Sequence, residues 1–173
     1  EGVISAVEML RAIGDDHYPD FTGMDIVVVG GGNVAMDVAR SAIRCHAKSV
    51  KVAYRRRKQD MTALAEEVEG AIADGVEIVE LNAPVRIEKD AENRCTGLIV
   101  KPQIPGAVKG GRPSPKNSTK DEVLLPADRV LVAIGQGIES GKFGEFGIPV
   151  QQGRISAFDT SDIADNEGIF AGG

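Results

Sequence analysis

Two cysteines and two histidines among 173 residues leave little room for several chemistries. Cys45 and Cys95 form no C-x-x-C pair, so they read as inert, reduced thiols of a cytoplasmic protein. His17 lies in a polar connector and His46 at a helix end beside Cys45, both positions of surface residues. No Ser-His-Asp arrangement and no metal-ligand spacing appears, so neither a catalytic side chain nor a metal site is expected. No apolar run approaches the roughly eighteen residues of a membrane span, and no signal-peptide pattern opens the chain. With 20 Lys+Arg against 26 Asp+Glu, the net charge of −6 argues against general nucleic-acid binding.

What remains is an ordinary balance of 42% apolar and 27% charged residues, enough for one domain with a real core. The most informative stretch is Asp25 to Asp37, DIVVVGGGNVAMD. An apolar, β-branched run enters a glycine turn and then an amphipathic pattern, which is strand, tight turn and helix. Gly30, Gly32 and Ala35 occupy the small-residue places of G-x-G-x-x-G/A, with Gly31, Asn33 and Val34 between them. The first glycine permits the turn, the second lets backbone approach a pyrophosphate, and the third small residue lets helix pack on strand. Free N–H groups and the helix dipole would then face the phosphates. Asp37, in the helix's first turns, suits that dipole with or without a ligand.

The flanking pattern supplies context. Residues 2–13 show helical spacing, ended by Gly14-Asp15-Asp16, and residues 17–23 form a connector. A helix over about 33–45 and a strand over 49–54 follow, then a helix over about 62–74 and a strand over 76–81. This β-α-β-α-β run predicts a Rossmann-like parallel sheet covered on both faces. Short β segments at 85–88, 95–101 and 122–125 read as a three-stranded antiparallel β-meander inserted as the crossover back to the main sheet. Residues 102–121, crowded with Pro, Gly, Lys and Ser, read as a long mobile loop, solvated or touching a partner through Lys109, Arg112, Lys116 and Lys120. Residues 129–134 (RVLVAI) return as a core strand, and the chain is then short on regular structure.

The end of the second strand meets the adenosine ribose in such folds, and an NAD site usually has Asp or Glu there. Here Tyr54 is followed by Arg55, Arg56, Arg57 and Lys58. Guanidinium forks match a 2′-phosphate, so the run points to NADP(H) rather than to a merely solvated charge cluster. Two charge-assisted hydrogen bonds at roughly 1.5–3 kcal/mol each would give on the order of 10²–10⁴-fold preference. Met61 and Thr62 lie against the adenine or start the next helix. A dinucleotide-binding regulatory module without catalysis is an alternative reading; an S-adenosylmethionine site is disfavoured by the basic run.

VVVGGGNVAMD, AYRRR followed by Met61, ADRVLVAIGQ and the terminal GIFAGG together resemble the small (beta) subunit of NADPH-dependent glutamate synthase. They also resemble the wider NADPH-dependent flavoproteins built on that module, including dihydropyrimidine dehydrogenase and bifurcating NADH–ferredoxin:NADP oxidoreductases. The resemblance implies the FAD/NAD(P)-binding fold, with an NADP-binding domain at 23–136 inserted into an FAD-binding domain. Residues 1–22 and 137–173 would be flanking fragments of that FAD domain. It implies an NADPH-dependent FAD oxidoreductase that exchanges hydride between NADP(H) and FAD. Electrons would pass on to iron–sulfur clusters or a partner such as a large subunit.

On this resemblance Gly30, Gly31, Gly32, Asn33 and Val34 map to the phosphate turn, and Arg55, Arg56 and Arg57 to the 2′-phosphate. Ala133, Gly135 and Gln136 map near the nicotinamide–flavin contact, and Gly172 and Gly173 to the second FAD motif, here without its following Asp. The family's first FAD fingerprint and iron–sulfur cysteines lie N-terminal to the matched segment. A chain opening on Glu1 and stopping on Gly172-Gly173 is accordingly expected to be an excised domain that binds NADPH weakly or moderately but holds FAD poorly. Without a C-x-x-C, a dithiol relay of the thioredoxin-reductase kind is not expected.

Overall fold

A computed structural model describes residues 2–135, 139–158, 161–163, 166 and 168–171. They form two compact units, Glu1–Ile134 and Gly135–Gly173.

The first unit is built on β1 (Val3–Ser5), α1 (Ala6–Gly14), β2 (Asp25–Val29), α2 (Asn33–Arg44), β3 (Ser49–Ala53), α3 (Ala65–Ala73) and β4 (Glu77–Val79). The antiparallel strands β5 (Asn82–Lys89), β6 (Cys95–Lys109), β7 (Arg112–Asn117) and β8 (Val123–Pro126) follow, and β9 (Arg129–Val132) closes the unit. The main sheet runs β1-β9-β2-β3-β4 with every pairing parallel.

Because side chains alternate across a strand, β2 serves two cores at once. Ile26 and Val28 pack on the helices, with Met36, Val50, Val52 and Leu131. Val27 and Val29 pack on the meander, with Leu98, Val100, Leu125 and Val130. Each such buried branched side chain stabilises by about 1.5–3 kcal/mol. Arg40 of α2 donates to Asp74 at 2.8 Å and Glu67 at 3.1 Å, tying α2 to the α3 region.

The parallel sheet, the helical cover and the β5-β6-β8 meander match the sequence expectation. Three local readings do not. The expected helix over 2–13 starts only at Ala6, because Val3, Ile4 and Ser5 pair with Val130, Leu131 and Val132. Such distant pairing leaves no helical or strand signature in a three-residue segment. The helix expected from 62 begins at Ala65, since the preceding backbone bonds to the glycine turn instead.

The expected mobile loop at 102–121 is largely a β-hairpin. β6 continues past the meander, and its second half pairs with β7 from Gln103↔Asn117 to Lys109↔Arg112. Pro113 and Pro115 are tolerated because, among the described residues, β7 pairs with β6 alone, so its other edge needs no N–H donors. Gly106 is required by close approach: a Cβ there would sit 2.8 Å from the Ser114 carbonyl oxygen.

The second unit contains α4 (Gly141–Glu145) and the two-residue strands β10 (Val150–Gln151) and β11 (Arg154–Ile155). The turn between those strands has Gln152 at φ 50° and Gly153 at φ 76°, the left-handed pair a tight hairpin needs. Ile163 is buried there, whereas Phe143, Phe146, Phe158 and Phe170 are exposed.

Candidate functional site

β2 has β3 on one side and β9 on the other. One neighbour follows it through α2, the other only after the whole meander. Strand order therefore reverses at the β2–β9 junction, the kind of crevice where open α/β sheets bind ligands. The glycine turn leaves β2 at this point. Gly30 has φ 148°, and a side chain on it would overlap the Ala133 carbonyl that follows β9. A side chain on Gly31 would overlap the buried Tyr54 ring. These two glycines are demanded by the protein's own packing.

Gly32 is different. It caps α2 in extended backbone that any residue adopts, φ −101° and ψ 177°. A Cβ on it would meet nothing closer than Thr62 Oγ1 at 3.5 Å. Nothing in the fold requires a glycine there, so the open ground above it suits a ligand's close approach. The N–H groups of Gly31, Gly32, Asn33 and Val34 have no protein acceptor among the described residues. That is a row of unsatisfied donors at a helix N-terminus, the chemistry that fits a diphosphate. Asp37 is exposed on the same helix.

The turn is held from behind by the segment after β3. Thr62 and Ala63 N–H groups donate to the Gly31 carbonyl at 3.0 and 3.1 Å. The Asn33 side-chain oxygen accepts from Leu64 N–H at 2.9 Å and so caps α3. Of the two readings for Met61 and Thr62, helix start is overturned, because α3 begins later. Met61 packs on the helical core and Thr62 binds the turn.

The three arginines have three different environments. Arg57 donates from Nε and Nη2 to the Asp60 carboxylate at 2.7 and 3.0 Å. Its side-chain bond holds the Asp60 carboxyl below its ordinary value and raises the Arg57 guanidinium in return. Tyr54 Oη donates to the Asp60 carbonyl at 2.9 Å and fixes the same 3₁₀ turn, Lys58–Asp60. Arg56 donates from Nε to the Pro113 carbonyl at 2.9 Å. Arg55 is exposed and has no hydrogen bond or ion pair among the described residues.

Arg55, Arg56 and Asp60 line a shallow cleft with Leu81, Ile104 and the prolines of the hairpin. Asp60, Tyr54 and the Pro113 carbonyl were not legible as site neighbours in the sequence. The basic run attracts attention to itself, and neither a carbonyl nor a distant hairpin has a residue signature.

Ala133 lies half-buried against the turn and Gly135, with φ 107°, is exposed. Gln136, Gly172 and Gly173 lie outside the described residues. His17 and His46 are both exposed. Cys45 and Cys95 are free and buried on opposite faces of the parallel sheet, and burial raises the Cys45 thiol. No cluster able to hold a metal occurs among the described residues. None of their helices is long and apolar enough to cross a membrane.

The family model "Pyridine nucleotide-disulphide oxidoreductase" matches residues 2–173. The chain belongs to that family. It is 37% identical over 173 residues to the NADP(+)-dependent formate dehydrogenase subunit beta of Moorella thermoacetica, covering 99% of this chain and 24% of that protein. It is 32% identical over 180 residues to the glutamate synthase [NADPH] small chain of Escherichia coli, covering 99% and 38%. The chain thus spans well under half the length of these relatives.

Among solved structures, T. acidophilum thioredoxin reductase matches with TM-score 0.70 at 19% identity, covering 88% of this chain and 44% of that one. Mycobacterium tuberculosis FprA in complex with NADPH matches with TM-score 0.65 at 17% identity, covering 94% and 50%. These likenesses establish the fold.

Proposed function

We propose that the chain is the NADP(H)-binding domain of a flavin-dependent oxidoreductase. The nucleotide-binding part corresponds to residues 23–136. One observation carries the reading: Gly32 is open where the fold has no need of a glycine, and two arginines stand at the end of the adjoining strand. The N–H groups of Gly31 to Val34 receive the diphosphate. Arg55 and Arg56 hold the 2′-phosphate through charge-assisted hydrogen bonds. Arg57 braces the turn through Asp60 and leaves direct contact to its neighbours. Ala133 and Gly135 are assigned to the nicotinamide end in this reading.

NADPH supplies a hydride and FAD accepts it when both are bound, chemistry that needs position more than catalytic side chains. Asn33 keeps the phosphate turn in place by capping α3, and Tyr54 walls it from behind. Gln136, Gly172 and Gly173 belong to the flavin side of the proposal. The names of the relatives, one a subunit beta and one a small chain, support a partner subunit; iron–sulfur clusters in that partner would take the electrons onward.

Calorimetry on this chain tests the nucleotide assignment. NADPH is expected to bind on the order of 10²-fold tighter than NADH, and the Arg55→Ala, Arg56→Ala double variant to erase the difference. Equal affinities in the unaltered chain would overturn the assignment. Flavin absorbance of the purified full-length protein tests the rest; its absence, with NADPH preference intact, would favour a regulatory module.

A further inference from the structure

The hairpin of β6 and β7 was expected to be a mobile loop, yet it is fastened to the arginine segment at two places. At its base, Gln103 N–H donates to the Leu81 carbonyl at 2.6 Å. The Gln103 side chain, nearly buried, donates to the Lys101 carbonyl at 2.8 Å and the Asn117 side-chain oxygen at 2.9 Å. Leu81 N–H in turn donates to the Arg56 carbonyl at 3.0 Å. Farther out, the Pro113 carbonyl accepts from Arg56 Nε at 2.9 Å. Within the hairpin, Ser114 Oγ donates to the Ala107 carbonyl at 2.8 Å, bridging the irregular register between Pro105 and Val108.

The chemistry of the Arg56 contact is specific. An arginine fork oriented through Nε keeps both Nη groups for an anion. A half-exposed arginine left to itself loses rotamer freedom on binding; one already held has less to lose. Beside this cation the hairpin presents Ile104, Pro105, Pro113 and Pro115, an apolar shelf without N–H donors at the prolines. Cation and apolar shelf together suit a purine nucleoside bearing a phosphomonoester.

Resting on the nucleotide assignment above, we propose that the β6–β7 hairpin is the positioning element of 2′-phosphate recognition. Its Pro113 carbonyl sets the Arg56 fork, and its proline face borders the adenosine side of the subsite. Discrimination between NADPH and NADH therefore depends on a segment far in sequence from the arginines. Arg55, without such a tether, supplies charge but not orientation.

The test is a double-mutant cycle on the full chain, read by calorimetry with NADPH, NADH and adenosine 2′,5′-bisphosphate. One variant replaces residues 105–115 by Asn-Gly, closing the paired Ile104 and Lys116 with a tight turn. The other variants are Arg56→Ala and the combination. Shortening is expected to weaken NADPH and the bisphosphate about tenfold more than NADH, whose own loss reports the adenosine border, and this extra loss is expected to vanish once Arg56 is alanine. A second probe, Gly106→Val, keeps the hairpin but crowds the Ser114 carbonyl next to Pro113, and should give the same NADPH-selective loss. Equal losses for NADPH and NADH, no loss, or an NADPH-selective loss that persists with Arg56→Ala would overturn the hairpin's role. An unaltered chain without NADPH preference would overturn the nucleotide assignment itself, and the hairpin's role with it.

Discussion

The two compact units treat their aromatic residues in opposite ways. Of five phenylalanines, Phe21 in Glu1–Ile134 is 3% exposed, while Phe146 and Phe170 in Gly135–Gly173 are 79% and 67% exposed. Phe143 and Phe158 are exposed as well. The first unit has a parallel sheet that packs helices on one face and a meander on the other. Among the described residues of the second, Ile163 is the one buried hydrophobic side chain. The phosphate turn thus rests on a unit that completes its own core.

The sharpest way to break this contrast is a truncation in the core of the first unit. Leu131→Ala in β9, where the side chain is fully buried, should cost about 2–5 kcal/mol by urea unfolding. A cost below about 1 kcal/mol would mean that the first unit does not hold itself together as described.

A smaller effect separates the packing glycines from the binding glycine. Gly31→Ala forces the buried Tyr54 ring to move and should destabilise by about 1–3 kcal/mol. Gly32→Ala should leave unfolding within about 0.5 kcal/mol of the unaltered chain yet weaken NADPH on the order of tenfold. The opposite pattern would assign the open ground above Gly32 to packing rather than to ligand.

Acid should loosen the first unit through its carboxylates. Bonds from Arg57 to Asp60, from Ser49 and Lys48 to Asp25, and from Arg40 to Asp74 hold these carboxyls below their ordinary value of 3.8. A depressed folded-state pKa gives stability that is fully present above the unfolded value and lost as pH falls through the folded one. Urea midpoints should therefore drop below about pH 4, and Asp60→Asn or Asp74→Asn should flatten that drop. Unchanged pH dependence in both variants would remove these pairs from the account.

The smallest effect is expected at Phe146→Ser in the second unit. It should change unfolding of this chain by less than about 0.5 kcal/mol. A large loss would show that the second unit has a core after all.

Local patterns were the legible part of this molecule. The run from Asp25 to Asp37 is strand, turn and helix on residue type alone, and β3, β9 and the meander followed from alternation and turn residues. β1 was misread because Val3 to Ser5 become a strand only by pairing with residues more than a hundred positions later. The hairpin was misread because prolines signal a loop wherever the neighbouring strand is unknown. Asn33 was assigned to a ligand by its place in the motif, and the fold also employs its side chain to cap α3.

By itself the amino-acid order determined that a glycine turn would leave an apolar strand and that arginines would end the next one. Both are consequences of short-range sterics and side-chain chemistry. Only the tertiary structure distinguished the three arginines. Asp60 engages Arg57, the Pro113 carbonyl engages Arg56 through Nε, and Arg55 is left to solvent. Arg57 meets Asp60 three residues on, whereas Arg56 meets a carbonyl 57 positions away that only packing brings to it, so adjacent, identical residues acquire different work because they meet different neighbours.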